Sequence, residues 1–148
     1  MVDLSRVGAV FTGTAPYVIS RAKIAEFADT VGATSPLHHV PEAAVEAGYR
    51  DVVAPPTFAV VIAQRAESEY IADPASGIDF SRVVHGSESF TYVRPLVAGD
   101  VLSTTVHVDS LTERAGISMV TTRTEITDDG GAAVATVVST LAVRGEAG

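Results

Sequence analysis

The stretch Ala54-Pro-Pro-Thr-Phe-Ala-Val-Val-Ile-Ala-Gln64 carries no charged side chain and is apolar over most of its length. Thr57 is well placed to cap a helix that runs to about Tyr70, because a threonine oxygen accepts hydrogen bonds from the first amides of a helix. A helix that is apolar on almost every side is normally buried. At 1.5 Å per residue it would be about 20 Å long. The fold must therefore cover this helix.

The chain after this helix supplies the elements that would cover it. From Arg82 onward β-branched residues become frequent, and Gly-Asp, Arg-Ala-Gly and Asp-Asp-Gly-Gly mark turns. The pattern predicts strands near 82–94, 101–111, 117–127 and 132–143. The last should be central, because both of its faces are apolar or small. We therefore expect an α+β fold in which about five antiparallel strands wrap around one long buried helix.

The residues before the helix predict smaller elements. A short strand at 17–19 leads to a helix that Ser20 caps and Gly32 closes. A loop follows to Val40, and Pro41 begins a short helix that ends at Gly48. Because neither a linker nor a repeat interrupts the pattern, we expect one domain over residues 1–148.

Composition removes several classes of function. The formal charge is −8 and the sequence contains no cysteine and four histidines. Binding to a nucleic-acid backbone is therefore not expected, and neither is a disulfide or a metal site. No apolar run is long enough to span a membrane or to serve as a signal peptide. These features predict a cytoplasmic location and chemistry that uses oxygen and imidazole groups.

The stretch Gly32-Ala-Thr-Ser-Pro-Leu-His38, followed by Ala44, resembles the signature of the MaoC-like (R)-specific enoyl-CoA hydratases and hydroxyacyl dehydratases. That family has Gly-Asp-x-Asn-Pro-aliphatic-His, and its Asp and His activate the water that adds to an enoyl thioester. Here Ala33 stands at the Asp position and Ser35 at the Asn position. The resemblance implies that His38 is the catalytic candidate and that it lacks its carboxylate partner.

Two further motifs are similar to the non-catalytic half of two-domain hydratases and to actinobacterial mycolic-acid dehydratase subunits. They are Ala54-Pro-Pro-Thr-Phe58 and Arg82-Val-Val-His-Gly86 with the residues that follow, to Pro95. The resemblance implies a hot-dog fold, and it implies that an acyl tunnel and a dimer seam form at these motifs. It gives the following substrate-binding candidates: Thr57, Phe58, His85 and Gly86, with Arg82 and Arg94 as partners for the phosphates of coenzyme A or of a carrier arm.

The start of the predicted central helix departs from the family as well. Catalytic members usually offer a backbone N–H there to polarise the thioester carbonyl. This chain has Pro55 and Pro56, and proline has no N–H to donate. The site therefore departs from the family at the water-activating group and at the oxyanion donor.

The motifs predict a subunit of a (3R)-hydroxyacyl-thioester dehydratase or enoyl-thioester hydratase in fatty-acyl metabolism. It would be the acyl-binding half, with weak or no activity alone, and would need no cofactor beyond its acyl-CoA or acyl-carrier substrate. The partner would be a second copy or a catalytic hot-dog subunit. A non-catalytic acyl-thioester-binding dimer is the main alternative. Thioester hydrolysis is a further one, although residues 57–63 offer no carboxylate to activate water.

Overall fold

The computed structural model describes residues 1–145, which form one antiparallel sheet with helices against it. The strand order is β1-β4-β5-β6-β3, and β2 also pairs with β4. The strands are β1 (Val10–Phe11), β2 (Tyr17–Val18), β3 (Val83–Tyr92), β4 (Val101–Arg114), β5 (Ile117–Thr127) and β6 (Ala133–Arg144). The expected α+β architecture is confirmed, with six strands in place of about five. Strand β6 lies inside the sheet, as its two apolar faces predict.

Three α-helices precede β3. They are α1 (Arg21–Val31), α2 (Pro41–Glu46) and α3 (Ala59–Ala72). The Ser20 hydroxyl accepts from the Lys23 amide at 3.1 Å, and Gly32 closes α1 with a φ of 72°. Sequence and structure therefore agree on both ends of α1, because cap chemistry is local.

The start of α3 differs from the sequence prediction. Thr57 is exposed and does not cap the helix, and Phe58 occupies the N-cap position without a side-chain hydrogen bond. The chain already turns at the two prolines, since the Phe58 amide donates to the Pro55 carbonyl at 2.9 Å. A side-chain cap needs an extended backbone at the capping residue, and Phe58 has helical dihedral angles instead.

Helix α3 packs against β4, β5 and β6, but with one face only. Its buried stripe contains Phe58, Ala59, Ile62, Ala63, Ala66, Glu67 and Tyr70. Gln64 and Arg65 are exposed, so the predicted burial of this helix is confirmed on the face towards the sheet and does not extend around the helix. No helix among residues 1–145 is long and apolar enough to cross a membrane.

The core beneath α3 consists of two apolar clusters. One gathers around Phe58, Ile62 and Leu102, and the other around Tyr70, Val120 and Leu141. Polar side chains are also fully buried in this core: Glu67 from α3, Thr122 and Thr124 from β5, and Ser139 from β6. We call these four residues the polar band. Buried polar groups are costly unless they are hydrogen-bonded, so the band is an unusual feature of this core.

Candidate functional site

His38 lies in a 3-10 turn, Pro36–His38, between α1 and α2. The Ser35 hydroxyl begins this turn by accepting from the Leu37 amide at 3.3 Å. The His38 Nδ1 atom is 2.6 Å from the Val53 carbonyl oxygen. Because a carbonyl only accepts, this contact assigns the proton of the neutral imidazole to Nδ1 and leaves Nε2 as an acceptor. A histidine in this state is suited to take a proton from water.

A mainly apolar cavity of about 340 Å³ adjoins His38. It is lined by Val53, Ala54, Pro55, Pro56, Tyr92, Val93, Arg94, Pro95 and Leu96 as well as His38. None of these residues is an aspartate or glutamate. The cavity therefore offers a histidine base without a carboxylate to orient the water or balance the charge.

Ala33 is not among the residues that line the His38 cavity. It lines a shallow depression with Asp29 and His39. His39 Nε2 lies 3.2 Å from the Ala33 carbonyl oxygen and 3.7 Å from Asp29 Oδ1. Asp29, the carboxylate just before this loop, therefore faces His39 and not His38.

The start of α3 offers few free amides to a carbonyl oxygen. The Phe58 amide is bonded to Pro55, and the Tyr92 hydroxyl donates to the Pro56 carbonyl. Burial raises the pKa of Tyr92, and a hydrogen bond from the Ala59 amide opposes this shift. The Tyr92 hydroxyl thus lies against the amide end of α3, the place where a helix stabilises developing negative charge. Phe58 itself is fully buried, with its ring edge-on to Phe27 at 5.4 Å.

Arg94 lines the His38 cavity but is held by a buried carboxylate. Its Nη1 atom is 2.8 Å from Asp100 Oδ2, and Arg50 Nη2 is 2.9 Å from Asp100 Oδ1. Burial opposes ionisation of Asp100, yet hydrogen bonds from Arg94 and the Val97 amide and the charge of Arg94 outweigh it and lower the pKa. Arg94 therefore carries little unbalanced charge for a phosphate, whereas Arg50 is largely exposed.

Arg82 lies at the other end of β3, away from the His38 cavity. It pairs with Asp79 at 3.2 Å and donates to the Gly145 carbonyl at 2.9 Å. The two arginines predicted as phosphate partners are therefore not brought together. Their role in binding phosphate stays a prediction.

His85 and Gly86 lie at an irregularity in β3, where the register with β6 shifts between His85 and Ser87. A Cβ atom on Gly86 would lie 3.2 Å from the Thr140 carbonyl oxygen, so glycine allows the two strands to approach closely here. The His85 Nδ1 atom is 3.4 Å from Glu88 Oε1. This histidine lines a second cavity of about 600 Å³ between α3 and the start of β3.

Glu67 is the residue that the sequence prediction missed. It is fully buried, it lines the second cavity, and its Oε1 accepts from the Thr122 hydroxyl at 2.7 Å. Burial raises its pKa, as does the charge of Glu88, while Ser139, Thr122 and His85 oppose the shift. The sequence does predict that Glu67 lies on the buried face of the helix, because it follows Ala63 by four residues and precedes Tyr70 by three. Residues 57–63, in which the sequence prediction found no carboxylate, end four residues before Glu67.

No group of three or more acidic or histidine side chains within residues 1–145 is arranged to hold a metal ion. The site consists of a histidine in a 3-10 turn, with the residues just before α3 and the end of the edge strand β3 forming the walls. A long helix packed against an antiparallel sheet of this strand order is the architecture of the hot-dog class of proteins.

Within this class, the chain belongs to the MaoC-like family of (3R)-hydroxyacyl dehydratases. The FAS1-like, dehydratase domain region model matches residues 5–137. A UPF0336 protein of Saccharopolyspora erythraea is 49% identical over 146 residues, which cover 99% of this chain and 94% of that protein. A UPF0336 protein of Clavibacter michiganensis is 50% identical over 139 residues, or 94% of this chain and 93% of that protein.

Solved structures agree with this assignment. The HadBC (3R-hydroxyacyl-ACP dehydratase) complex from Mycobacterium tuberculosis contains a chain with a TM-score of 0.84 and 29% identity, matched over 95% of this chain and 97% of that one. A MaoC-like dehydratase has a TM-score of 0.87 and 32% identity over 95% of this chain but only 43% of its own. The present chain therefore matches less than half of that longer protein.

Proposed function

We propose that this chain is the acyl-binding subunit of a (3R)-hydroxyacyl-thioester dehydratase or enoyl-thioester hydratase, with weak or no turnover by itself. The observation that carries the proposal is the His38 cavity, whose lining residues include a histidine base and no carboxylate. In the reaction of the family, water adds across the double bond of an enoyl thioester. The base removes a proton from water, the oxygen bonds to the β-carbon, and the α-carbon gains a proton.

The apolar walls of the His38 cavity support the binding half of this proposal. Val53, Leu96 and the two prolines present hydrocarbon to a ligand, and Arg50 is exposed near Arg94 at the outer side. An acyl thioester has a hydrocarbon chain and an anionic carrier, which suits an apolar cavity next to a basic side chain. The sequence and the geometry both lack the second catalytic group.

The edge of the sheet supports a partner. Strand β3 pairs only with β6 in the described sheet, so its other edge has unpaired backbone groups. Val84 on this edge is 64% exposed, and Phe80 just before it is 69% exposed. Long edge strands with apolar side chains are normally covered, and a second hot-dog subunit would cover this one by adding its own edge strand. The related structures HadBC and ChsH1-ChsH2 are both two-component complexes.

Complementation tests the proposal. The chain is purified alone and also after co-expression with a dehydratase subunit from the same genome that carries the intact Gly-Asp-x-Asn-Pro-x-His pattern. Hydration of crotonyl-CoA is followed as loss of the enoyl absorbance. The complex should be faster than the chain alone by about four orders of magnitude, the scale on which loss of a catalytic carboxylate acts.

The controls separate binding from catalysis. His38→Ala in this chain should leave the rate of the complex nearly unchanged, whereas the same change in the partner should abolish the rate. Failure of the two chains to copurify, with no gain in rate, would contradict the partnership. Release of free thiol from acyl-CoA by the chain alone would favour thioester hydrolysis instead.

A further inference from the structure

A third cavity, which we call the arginine cavity, adjoins the His38 cavity. Its volume is about 420 Å³, and it shares Arg94 and Pro95 with the lining of the His38 cavity. Its other lining residues are Gly48, Tyr49, Arg50, Val97, Gly99, Asp100, Val101, Asp128 and Asp129. A ligand that leaves the His38 cavity over this shared wall therefore meets two arginines.

Asp100 holds the two guanidinium groups side by side. This carboxylate is 4% exposed, and its Oδ1 atom lies 2.9 Å from Arg50 Nη2 while its Oδ2 atom lies 2.8 Å from Arg94 Nη1. The Val97 amide also donates to Oδ2, at 3.0 Å. Arg94 bonds to both oxygens of Asp100 and to the Pro95 carbonyl, so this arginine uses most of its donors within the protein.

Arg50 uses few of its donors within the protein. A guanidinium has five N–H groups in a planar fork. Among residues 1–145, the Arg50 guanidinium bonds to Asp100 alone, through Nη2. Its side chain is 68% exposed, against 37% for Arg94. Arg50 is therefore an anchored cation with free N–H groups, in a geometry that matches two oxygens of a phosphate.

Two further carboxylates limit the attraction of the arginine cavity for an anion. Asp128 is committed to its own turn, since its Oδ1 atom accepts from the Gly130 amide at 3.0 Å and from the Ala132 amide at 2.9 Å. Asp129 is exposed, so water screens its charge. The cavity is therefore suited to an anionic group on a ligand that is also bound elsewhere, and less suited to a free anion.

We infer that Arg50 binds the phosphate at the end of the pantetheine arm of an acyl thioester held in the His38 cavity. This inference rests on the proposed function and names the part of the carrier that the subunit recognises. The arm itself is uncharged, and it ends in a phosphate both in coenzyme A and on an acyl carrier protein. Of the arginines predicted for this role, Arg82 lies at the other end of β3 and Arg94 is held by Asp100.

Calorimetry with three ligands that share one acyl group tests the inference. The ligands are octanoyl-CoA, octanoyl-4′-phosphopantetheine and octanoyl-pantetheine, each titrated into the full-length chain in its purified assembly. Both phosphate-bearing ligands should bind about tenfold more tightly than octanoyl-pantetheine, the scale of one hydrogen bond between charged groups. A gain confined to octanoyl-CoA would place the contact on the nucleotide and overturn the inference.

Substitutions at Arg50 assign the preference. Arg50→Ala should make the three affinities equal, whereas Arg50→Lys keeps the charge without the fork and should keep a preference of about threefold. Arg114→Ala is the matched control and should leave the preference unchanged, because it removes an exposed arginine at the far end of β4. Equal affinities in the unsubstituted chain, or a preference that survives Arg50→Ala, would overturn the inference alone. Absence of binding by all three ligands would overturn the proposed function with it.

The opposing charge of Asp129 gives a second readout. Asp129→Asn removes a carboxylate from the rim of the arginine cavity, so it should raise the affinity of the two phosphate-bearing ligands about twofold. The affinity of octanoyl-pantetheine should stay constant, because this ligand carries no phosphate. An equal change for all three ligands, or no change for the phosphate-bearing pair, would contradict the placement of the phosphate beside Arg50.

Discussion

Each of the two cavities of this chain is lined by a histidine, but only one of them is also lined by a carboxyl group. His38 lies in the loop that is similar to the active-site loop of the family, and its cavity lining has no carboxylate. His85 lies outside that loop, yet it is 3.4 Å from Glu88 and shares its cavity with Glu67. The comparison teaches that the loop that is similar to the family signature and the buried carboxylate of this fold lie at different cavities.

The largest expected effect comes from returning the missing groups to the His38 loop. Ala33→Asp with Ser35→Asn should raise hydration of crotonyl-CoA by about a hundredfold, because the two changes return the carboxylate and the amide of the family to the loop that holds His38, although residue 33 lines the neighbouring depression. The gain stays below the four orders of magnitude that a complete site commands, since the prolines still lack an oxyanion donor. The measurement is the initial rate of enoyl absorbance loss.

Two variants control this experiment. Ala33→Asn with Ser35→Asn has the same size without the carboxylate and should show no gain. Adding His38→Ala to the aspartate variant should remove the gain. A gain that persists without His38 would mean that the new carboxylate acts with His39 or another group.

The next effect concerns the wall of the His38 cavity. Asp100→Ala should lower the free energy of unfolding by about 2–3 kcal/mol, because it leaves Arg94 and the Val97 amide without their buried acceptor. Urea unfolding measures this. Arg50→Ala removes an exposed partner of the same carboxylate and should cost less than about 1 kcal/mol. Equal losses from the two variants would show that Asp100 stabilises the fold through Arg50.

Acid should act on the same carboxylate. The folded-state pKa of Asp100 is below its usual value of 3.8, so its stabilisation is fully present above that value. It is lost as pH falls through the lower folded-state pKa. Asp100→Ala should therefore be less destabilising, relative to the unsubstituted chain, in strong acid than at pH 7.

A smaller effect of opposite sign is expected at Glu67. The folded-state pKa is above the usual 4.5, so folding favours the protonated carboxyl, and stability due to this group falls as pH rises from that value towards the folded-state pKa. Glu67→Gln should remove this decline, so it should stabilise the chain more at pH 8 than at pH 5. Thermal unfolding at pH 5 and pH 8 measures the difference. If Glu67→Gln changes the stability equally at the two pH values, Glu67 is already ionised in the folded chain at pH 5.

The smallest effect is expected at the irregularity beside His85. Gly86→Ala places a Cβ atom 3.2 Å from the Thr140 carbonyl and should cost about 1 kcal/mol in the free energy of unfolding. Ser87→Ala, one residue along, should change it by less than about 0.5 kcal/mol. A neutral Gly86→Ala would mean that the strands separate without cost here.

Local features were predictable from the sequence, and features that depend on distant contacts were not. The ends of α1 and the central position of β6 follow from cap residues and from apolar patterning. The pairing of Val10–Phe11 with β4 joins residues almost a hundred positions apart and has no signal in a two-residue strand. Thr57 failed as a cap because the two prolines before it already fixed the turn.

The candidate site shows the same contrast between local features and features that depend on distant contacts. The motif identified His38 and the absence of its carboxylate, but not that the Val53 carbonyl sets its tautomer. Arg94 was predicted from the motif as a partner for phosphate, and the structure shows it in an ion pair with Asp100 on the next turn. Glu67 was visible on the apolar stripe of α3, but its acceptor role towards Thr122 comes from a strand 55 residues away.

The most direct test is to measure binding and turnover in parallel on the purified chain. It shows whether the chain binds an acyl thioester without catalysing its hydration. Calorimetry should show that octadecanoyl-CoA binds. Crotonyl-CoA hydration, followed in the same preparation, should stay near the uncatalysed rate until a partner with the intact aspartate and histidine is added. Rapid hydration by the chain alone that His38→Ala abolishes would show that His38 is catalytic without a carboxylate and would contradict the assignment of this chain as an acyl-binding half.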